Sequence, residues 1–375
     1  MPEQQLSPFD DTKTSHALGI QINELLSLMV SKGASDLHIT VPSPPVLRIQ
    51  GQLVSQDDLP PITPKDAASI FEEITTEEQK ETFCKELELD FAYGILGLGR
   101  FRVNALQQRG SISLAFRFVP YRIPSIDELD LPQICKALVL KQKGLILITG
   151  QSGSGKSTTL AAMINHLNQT ERRNVITIED PIEFLFSNNR CIIQQRDIGQ
   201  DARSFHAALV HALRHDLDVI VIEELRDLAT ISTAITAAET GHLILGTMHT
   251  IDAAQSIDRI IDTFPAVQQP QIRAQLSQIL EAVLSQTLLS RIGGGQIAAF
   301  EILVATSGVR KLIREGKVHE IISNLELGAP EGKQTMDQAL ADLVRRNIVT
   351  TEEAMTKSNN PKKLSTLLTS QGNLL

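Results

Sequence analysis

Apolar residues first recur at a helical period from Ile20 onward. Ile20, Ile22, Leu25, Leu26, Leu28, Met29 and Val30 form one broad face, which predicts a helix ending at Gly33. The preceding stretch, 1–18, is polar, charged and aperiodic, and predicts a disordered N-terminal extension. After the helix the period shortens. DLHIT (36–40) and VLRIQGQLV (46–54) read as short strands split by the turn at Pro42, Pro44 and Pro45. Thr63 before Pro64 has the chemistry of a helix start: a hydroxyl cap, then a residue lacking the amide that a first turn cannot use. LDFAYGI, GRFRVNALQQRG and SISLAFRFVP then supply strands and tight turns, so 19–118 is predicted to form a compact α+β domain.

Residues 119–132 contain Pro120, Pro124 and Pro132, and proline fixes φ and removes amide donors, so this stretch reads as an extended linker. Beyond it the pattern changes. LILIT (145–149), VITIE (175–179), DVIVIE (218–223) and LILGTMH (243–249) are continuous apolar runs separated by helical stretches. Continuous runs belong to strands covered on both faces, which predicts a mainly parallel sheet in an α/β domain over 133–305. Residues 306–375 read as helical and charged. A chain of 375 residues has room for these parts at roughly 150 residues per domain.

Candidate chemistry gathers at the strand ends. Gly150–Ser157, GQSGSGKS, matches G-x-x-x-x-G-K-[ST] and stands between an apolar strand and the helical run TTLAAMINHL. In such a loop, glycines such as Gly153 and Gly155 let backbone amides face phosphate oxygens, and the following helix adds its positive end. Lys156 supplies a point charge to the β- and γ-phosphates, and the Ser157 hydroxyl is placed to ligate Mg²⁺. The candidate nucleotide-binding set is Gly150, Gln151, Ser152, Gly153, Ser154, Gly155, Lys156, Ser157 and Thr158. The plain alternative is a Gly/Ser turn with a solvated lysine.

Phosphoryl transfer also needs a metal anchor and a carboxylate that orients water. DVIVIEELRD ends a strand on Glu223 and Glu224, the first suited to Mg²⁺ and the second to water. ITIEDPIEF offers Asp180 and Glu183 past another strand, where parallel sheets place ligands. The competing reading is that these are solvated turn acids. His249 ends a further strand and is suited to sensing the γ-phosphate or orienting water. His242 sits in a turn. His206, His211 and His215 are read as helix-surface residues. Arg100, Arg102, Arg109 and Arg117 crowd the end of the first domain, either as an ordinary basic strand face or as arginine fingers for a P-loop site. Arg214, Arg226 and Arg259 lie near the motifs and are as well placed to hold carboxylates.

Composition acts here by exclusion. A net charge of −9 argues against a nucleic-acid footprint, and the absence of Trp argues against a stacking surface for single strands. Cys84, Cys135 and Cys191 lie far apart without a CxxC pair, so no zinc finger or disulfide framework follows and a reducing compartment fits. The N-terminus lacks the pattern of a signal peptide, and no apolar run reaches the roughly 20 residues of a membrane span.

Together, GASDLHIT, GRFRVNA, GQSGSGKSTTLAAM, TIEDPIEF, AAETGHLILGTMHT, SIDRIIDTFP, SQTLL, GGGQIAAFEIL and VRKLIREGK resemble the type IV pilus retraction ATPases of the PilT type, within the type II/IV secretion ATPase group. The resemblance runs from about residue 20 to about residue 355. It implies an α/β fold with a RecA-like P-loop ATPase domain, preceded by a smaller PAS-like α+β domain and followed by a helical C-terminal tail. It implies a homo-hexameric motor that hydrolyses ATP with Mg²⁺, and a nucleotide bound between domains with Arg100 and Arg102 completing the site. By motif, Glu183 belongs to the acidic box, Glu224 is the catalytic glutamate (EELRD for the family's GExRD) and His249 is the box histidine. GVRKLIRE (308–315) looks like the family's AIRNLIRE retraction motif. Two positions depart: Glu223 stands where the family usually has Gly, and Gly308 stands at the motif's Ala. Glu223 either holds Mg²⁺ through water or perturbs Glu224 by like-charge repulsion.

The partners implied are further copies of the chain, an inner-membrane pilus platform protein and, as an open alternative, a paralogous motor; no nucleic acid and no zinc are implied. The implied location is cytoplasmic, peripheral to the inner face of the cytoplasmic membrane. The family's assembly motors usually carry a tetracysteine zinc site, which the scattered cysteines exclude. An assembly or secretion ATPase, a low-turnover accessory subunit and a RecA-like DNA motor are the alternatives.

Overall fold

The computed structural model describes residues 21–49, 51–119, 122–326 and 332–369, which divide after residue 120 into two compact units. The predicted extension 1–18 lies outside the described residues. The first unit contains α1 (Ile22–Ser31), β1 (Asp36–Ile39), β2 (Val46–Ile49), β3 (Gln52–Ser55), α2 (Pro64–Ile74), α3 (Glu77–Glu86), β4 (Glu88–Ile95), β5 (Gly99–Gln108) and β6 (Ser111–Val119). Its strands form one sheet in the order β3-β2-β1-β6-β5-β4, antiparallel throughout. VLRIQGQLV is a hairpin, not a single strand: Gly51 takes φ 83°, a conformation open to glycine, and the chain folds back as β3. Thr63 and Asp66 form a capping box around Pro64, so α2 starts where the sequence signal places it.

β5 shows the two sides of this sheet. Phe101, Val103 and Ala105 are buried against the helices, while Arg100, Arg102 and Asn104 alternate onto the opposite face. Arg102 pairs across the ladder with Arg117 on β6.

In the second unit, α4 (Ile134–Val139) leads to β7 (Gly144–Thr149), α5 (Lys156–Thr170), β8 (Asn174–Glu179), β9 (Ile192–Asp197), α6 (Phe205–Ala212), β10 (Val219–Ile222), α7 (Leu228–Glu239), β11 (Leu243–Met248), α8 (Ala253–Asp262), α9 (Gln269–Ile279), β12 (Leu280–Ser290) and β13 (Gln296–Val304). The helices α10 (Ser307–Glu315), α11 (Ile321–Glu326), α12 (Met336–Arg345), α13 (Thr351–Lys357) and α14 (Pro361–Thr369) follow. The sheet order is β13-β12-β7-β11-β10-β8-β9, parallel except for the β12–β13 hairpin. Leu145 and Leu147 point into one core and Ile146 and Ile148 into another, so the sheet is covered on both faces as its continuous apolar strands require.

The linker reading of 119–132 needs correcting. Val119 is the last residue of β6, and Ile126 and Leu131 are buried in the second unit's core. Ser125 and Glu128 cap each other's amides, so this proline-bearing stretch is anchored as turns. The C-terminal region also splits. Val309, Ile313, Ile321 and Leu325 complete the main core, whereas α12–α14 pack with Leu289 and Ile297 of the β12–β13 hairpin in a separate core.

Candidate functional site

β7 is buried along its whole length, and the chain leaves it at Gly150. Gly150 and Gly153 adopt φ 145° and 75°, and Gly155 at φ 87° caps the start of α5. These left-handed positions turn the backbone tightly enough to form an amide-lined loop, and an α5 of 15 residues adds its N-terminal dipole. Lys156, the first helical residue, is buried. Its Nζ donates to the carbonyls of Gly150 at 2.8 Å and Gln151 at 3.0 Å, and an incoming phosphate would redirect those two N–H groups. Burial lowers its pKa, and the negative charges of Glu224, Glu183 and Glu223 oppose that effect.

The loop is held from below by β12. Gln286 donates through Nε2 to the Ser154 carbonyl at 2.6 Å, and Thr149 donates to the Ser285 hydroxyl at 2.8 Å. Both contacts are buried, and neither was named as a site feature by motif.

The acids arrive from neighbouring strands. β10 ends at Ile222, and Glu223 follows it. The Glu223 carboxylate accepts from the Asp180 amide, and burial together with the charges of Glu183, Glu179 and Asp180 pushes its pKa up to about 8. Ser157, Glu179 and Glu223 line one small cavity beside α5. A hydroxyl and a carboxylate are the oxygen donors a hard cation takes, and a cation there would relieve the cost of charging Glu223. Among the described residues no group of three or more His, Cys, Asp or Glu could hold a metal alone. Glu179 itself accepts from Thr177 and Gln195, and burial raises its pKa.

Glu224 and His249 face each other, with Oε1 and Nε2 3.8 Å apart, too long for a hydrogen bond but adjacent. Both are partly exposed, as groups that must reach a water would be. The second unit therefore brings the loop residues, Glu183, Glu223, Glu224 and His249 to one end of the sheet. His242 instead closes the end of α7, with Nδ1 3.0 Å from the Ala237 carbonyl. Arg214, Arg226 and Arg259 are exposed.

In the first unit, Arg117 is ion-paired to the buried Asp36 at 2.9 Å, so it has a structural duty. Arg109 sits in the β5–β6 turn at φ 47°. Arg100 and Arg102 lie side by side on the polar face of β5. Arg310, in the segment 308–315, donates to the carbonyls of Ser277 and Gln278 and pairs with Glu281 at 2.9 Å, while Lys311, Arg314 and Glu315 are exposed.

Residues 100–295 match the family model described as Type II/IV secretion system protein. The chain is 43% identical over 343 residues to the type IV pilus retraction ATPase PilT of Pseudomonas aeruginosa, covering 92% of this chain and 99% of that one. It is 42% identical over 322 residues to a twitching motility protein of Neisseria gonorrhoeae, covering 86% of each. A crystal structure of the pilus retraction motor PilT with bound ADP superposes with a TM-score of 0.87 at 43% identity, over 92% of this chain and 99% of that one.

Proposed function

Because this chain belongs to the type II/IV secretion system ATPase family, among its pilus retraction members, we propose that it hydrolyses ATP to power retraction of a type IV pilus. The observation that carries the reading is the convergence of Lys156, Glu223, Glu224 and His249 at one sheet end, in a chain alike along nearly its whole length to a retraction ATPase. The loop amides and Lys156 bind the phosphates. Ser157 and Glu223 would hold Mg²⁺, which when bound offsets charge on the β- and γ-phosphates. Glu224 orients the attacking water and takes its proton, His249 steadies that carboxylate, and Glu183 keeps the field around Lys156 negative. The water oxygen bonds to the γ-phosphorus, the bond to the β-phosphate oxygen breaks, and the proton held on Glu224 passes to the departing phosphate. Arg100 and Arg102 of a neighbouring protomer stabilise the charge that develops.

The working form in this reading is a homo-hexameric ring that docks on an inner-membrane platform protein from the cytoplasmic side, with the exposed 308–315 face turned to the pilus machinery. Among the described residues no helix is long and apolar enough to cross a membrane. A second reading, an accessory subunit of low turnover, rests on Glu223, whose buried carboxyl costs free energy to ionise without a cation.

A deletion strain complemented with the parent or with Glu224→Gln tests the function. Deletion is expected to leave surface pili without twitching, and only the parent should restore movement. The purified variant should bind ATP but turn it over at least ~100-fold more slowly. A strain without surface pili would point to an assembly motor, and slow turnover by the parent itself to the accessory reading.

A further inference from the structure

Glu301 is a buried carboxylate that the hydrolytic site does not use. It is 6% exposed and lies on β13 directly opposite Ser285 of β12, which in turn stands beside Thr149 of β7. Thr149 is also the rung partner of Met248 on β11. One transverse row of the sheet thus runs Met248–Thr149–Ser285–Glu301. The residues that follow two of its members are Gly150, where the phosphate loop begins, and His249.

The carboxylate faces two helix starts. Its Oε1 accepts from the Ala253 amide, the first of α8, at 2.9 Å, and the Met336 amide, the first of α12, lies close enough to favour its charged form. A helix leaves its first amides without partners inside the helix. Here the caps satisfy the later ones: Asp252 accepts from the Gln255 amide and Thr335 from the Gln338 amide. The leading amide of α8 is left to Glu301, and that of α12 lies beside it. The positive ends of both helices also favour a negative charge at that point.

We infer that Glu301 is a positioning residue for ATP hydrolysis: it fixes the start of α8, and with it the short His249–Asp252 segment, and ties that segment to the C-terminal helices α12–α14. This rests on the ATPase reading above. Those helices have their own core on the β12–β13 hairpin, so a load on them reaches the His249 segment through Glu301. Side chains that touch no substrate can govern the chemical step in this way, because small misplacements of a reacting group are costly.

The full-length chain carrying Glu301→Gln or Glu301→Leu tests this, read by steady-state hydrolysis, nucleotide binding and amide exchange. Glutamine keeps the shape but offers one acceptor oxygen in place of two. We expect kcat to fall about fivefold in Glu301→Gln and further in Glu301→Leu, with KM for ATP within about twofold. Exchange should quicken at the starts of both α8 and α12. Should Glu301→Leu fail to fold, Glu301→Gln decides alone. A parental kcat in Glu301→Gln, or a fall in ATP binding that matches the fall in kcat, overturns the inference. A parent that does not hydrolyse ATP, with both helix starts still loosened in the variants, would overturn the ATPase reading and retain the link.

Discussion

Gly150 leaves β7 at φ 145°, and a Cβ there would meet the Gln286 carbonyl and the Ser154 side chain. Neither obstacle can move cheaply, because Gln286 is in a buried strand and Ser154 is the buried centre of the loop. Gly150→Ala should therefore cost roughly 1–3 kcal/mol of stability and weaken ATP binding at least ~10-fold, checked by thermal melting and by equilibrium titration with labelled nucleotide. The glycine is visible in the motif; the reason it cannot be alanine is not. Gln286 contacts Ser154 across 132 positions of sequence, and Thr149 contacts Ser285 across 136. Partners so distant leave no local periodicity or spacing to read. The loop, the paired acids and His249 are legible because each sits at the end of an apolar run that announces its strand. Gln286 and Glu301 are buried polar residues inside such runs, where they read as interruptions.

Among the elements, β7, β8, β10 and β11 are visible as continuous apolar runs, since both faces are covered. β9 is not, because IIQQRD exposes Ile192 and buries Asp197. α3 is also silent: only Phe83 of its polar sequence is buried, packing on Phe71 with ring centroids 4.6 Å apart. β13 reads as apolar, yet its antiparallel return and the carboxylate within it need the fold. Burial pushes the Glu301 pKa from 4.5 up to about 7, aided by the charges of Asp252 and Asp337 and opposed by the amides of Ala253 and Met336. The folded chain thus holds this proton more tightly than the unfolded one. The associated stability is full below about pH 4.5 and is lost as pH rises to about 7. Glu301→Gln cannot titrate, so the stability difference between parent and variant should change by roughly 3 kcal/mol across that window. Urea unfolding at pH 5 and pH 8 measures it, and an equal difference at both would remove Glu301 as its source.

At the scale of the whole molecule, the chain separates its charges. The carboxylates and Lys156 of the site belong to the second unit, whereas Arg100 and Arg102 belong to the first. The division after residue 120 could be read from the change in strand pattern; the anchoring of Ile126 and Leu131 could not, because prolines suggest an extended chain whatever its apolar residues touch. On β5 the arginines lie on the face away from the core, and Asp36 already neutralises Arg117 opposite Arg102. A strand gains little from two arginines facing each other across a ladder, and the role proposed for Arg102 is to meet an anion supplied from outside its own unit. If that anion is the nucleotide of a neighbouring protomer, two inactive variants complement each other. Rings of Arg102→Ala alone lack the arginine at every site, and rings of Glu224→Gln alone lack the glutamate. In an equal mixture, a site needs Glu224 from one protomer and Arg102 from the next, which random assembly provides at about a quarter of interfaces. Steady-state hydrolysis of the co-assembled variants should recover toward that fraction. If each protomer used its own Arg102, every site in the mixture would lack one group or the other, and activity would stay at the level of the separate variants.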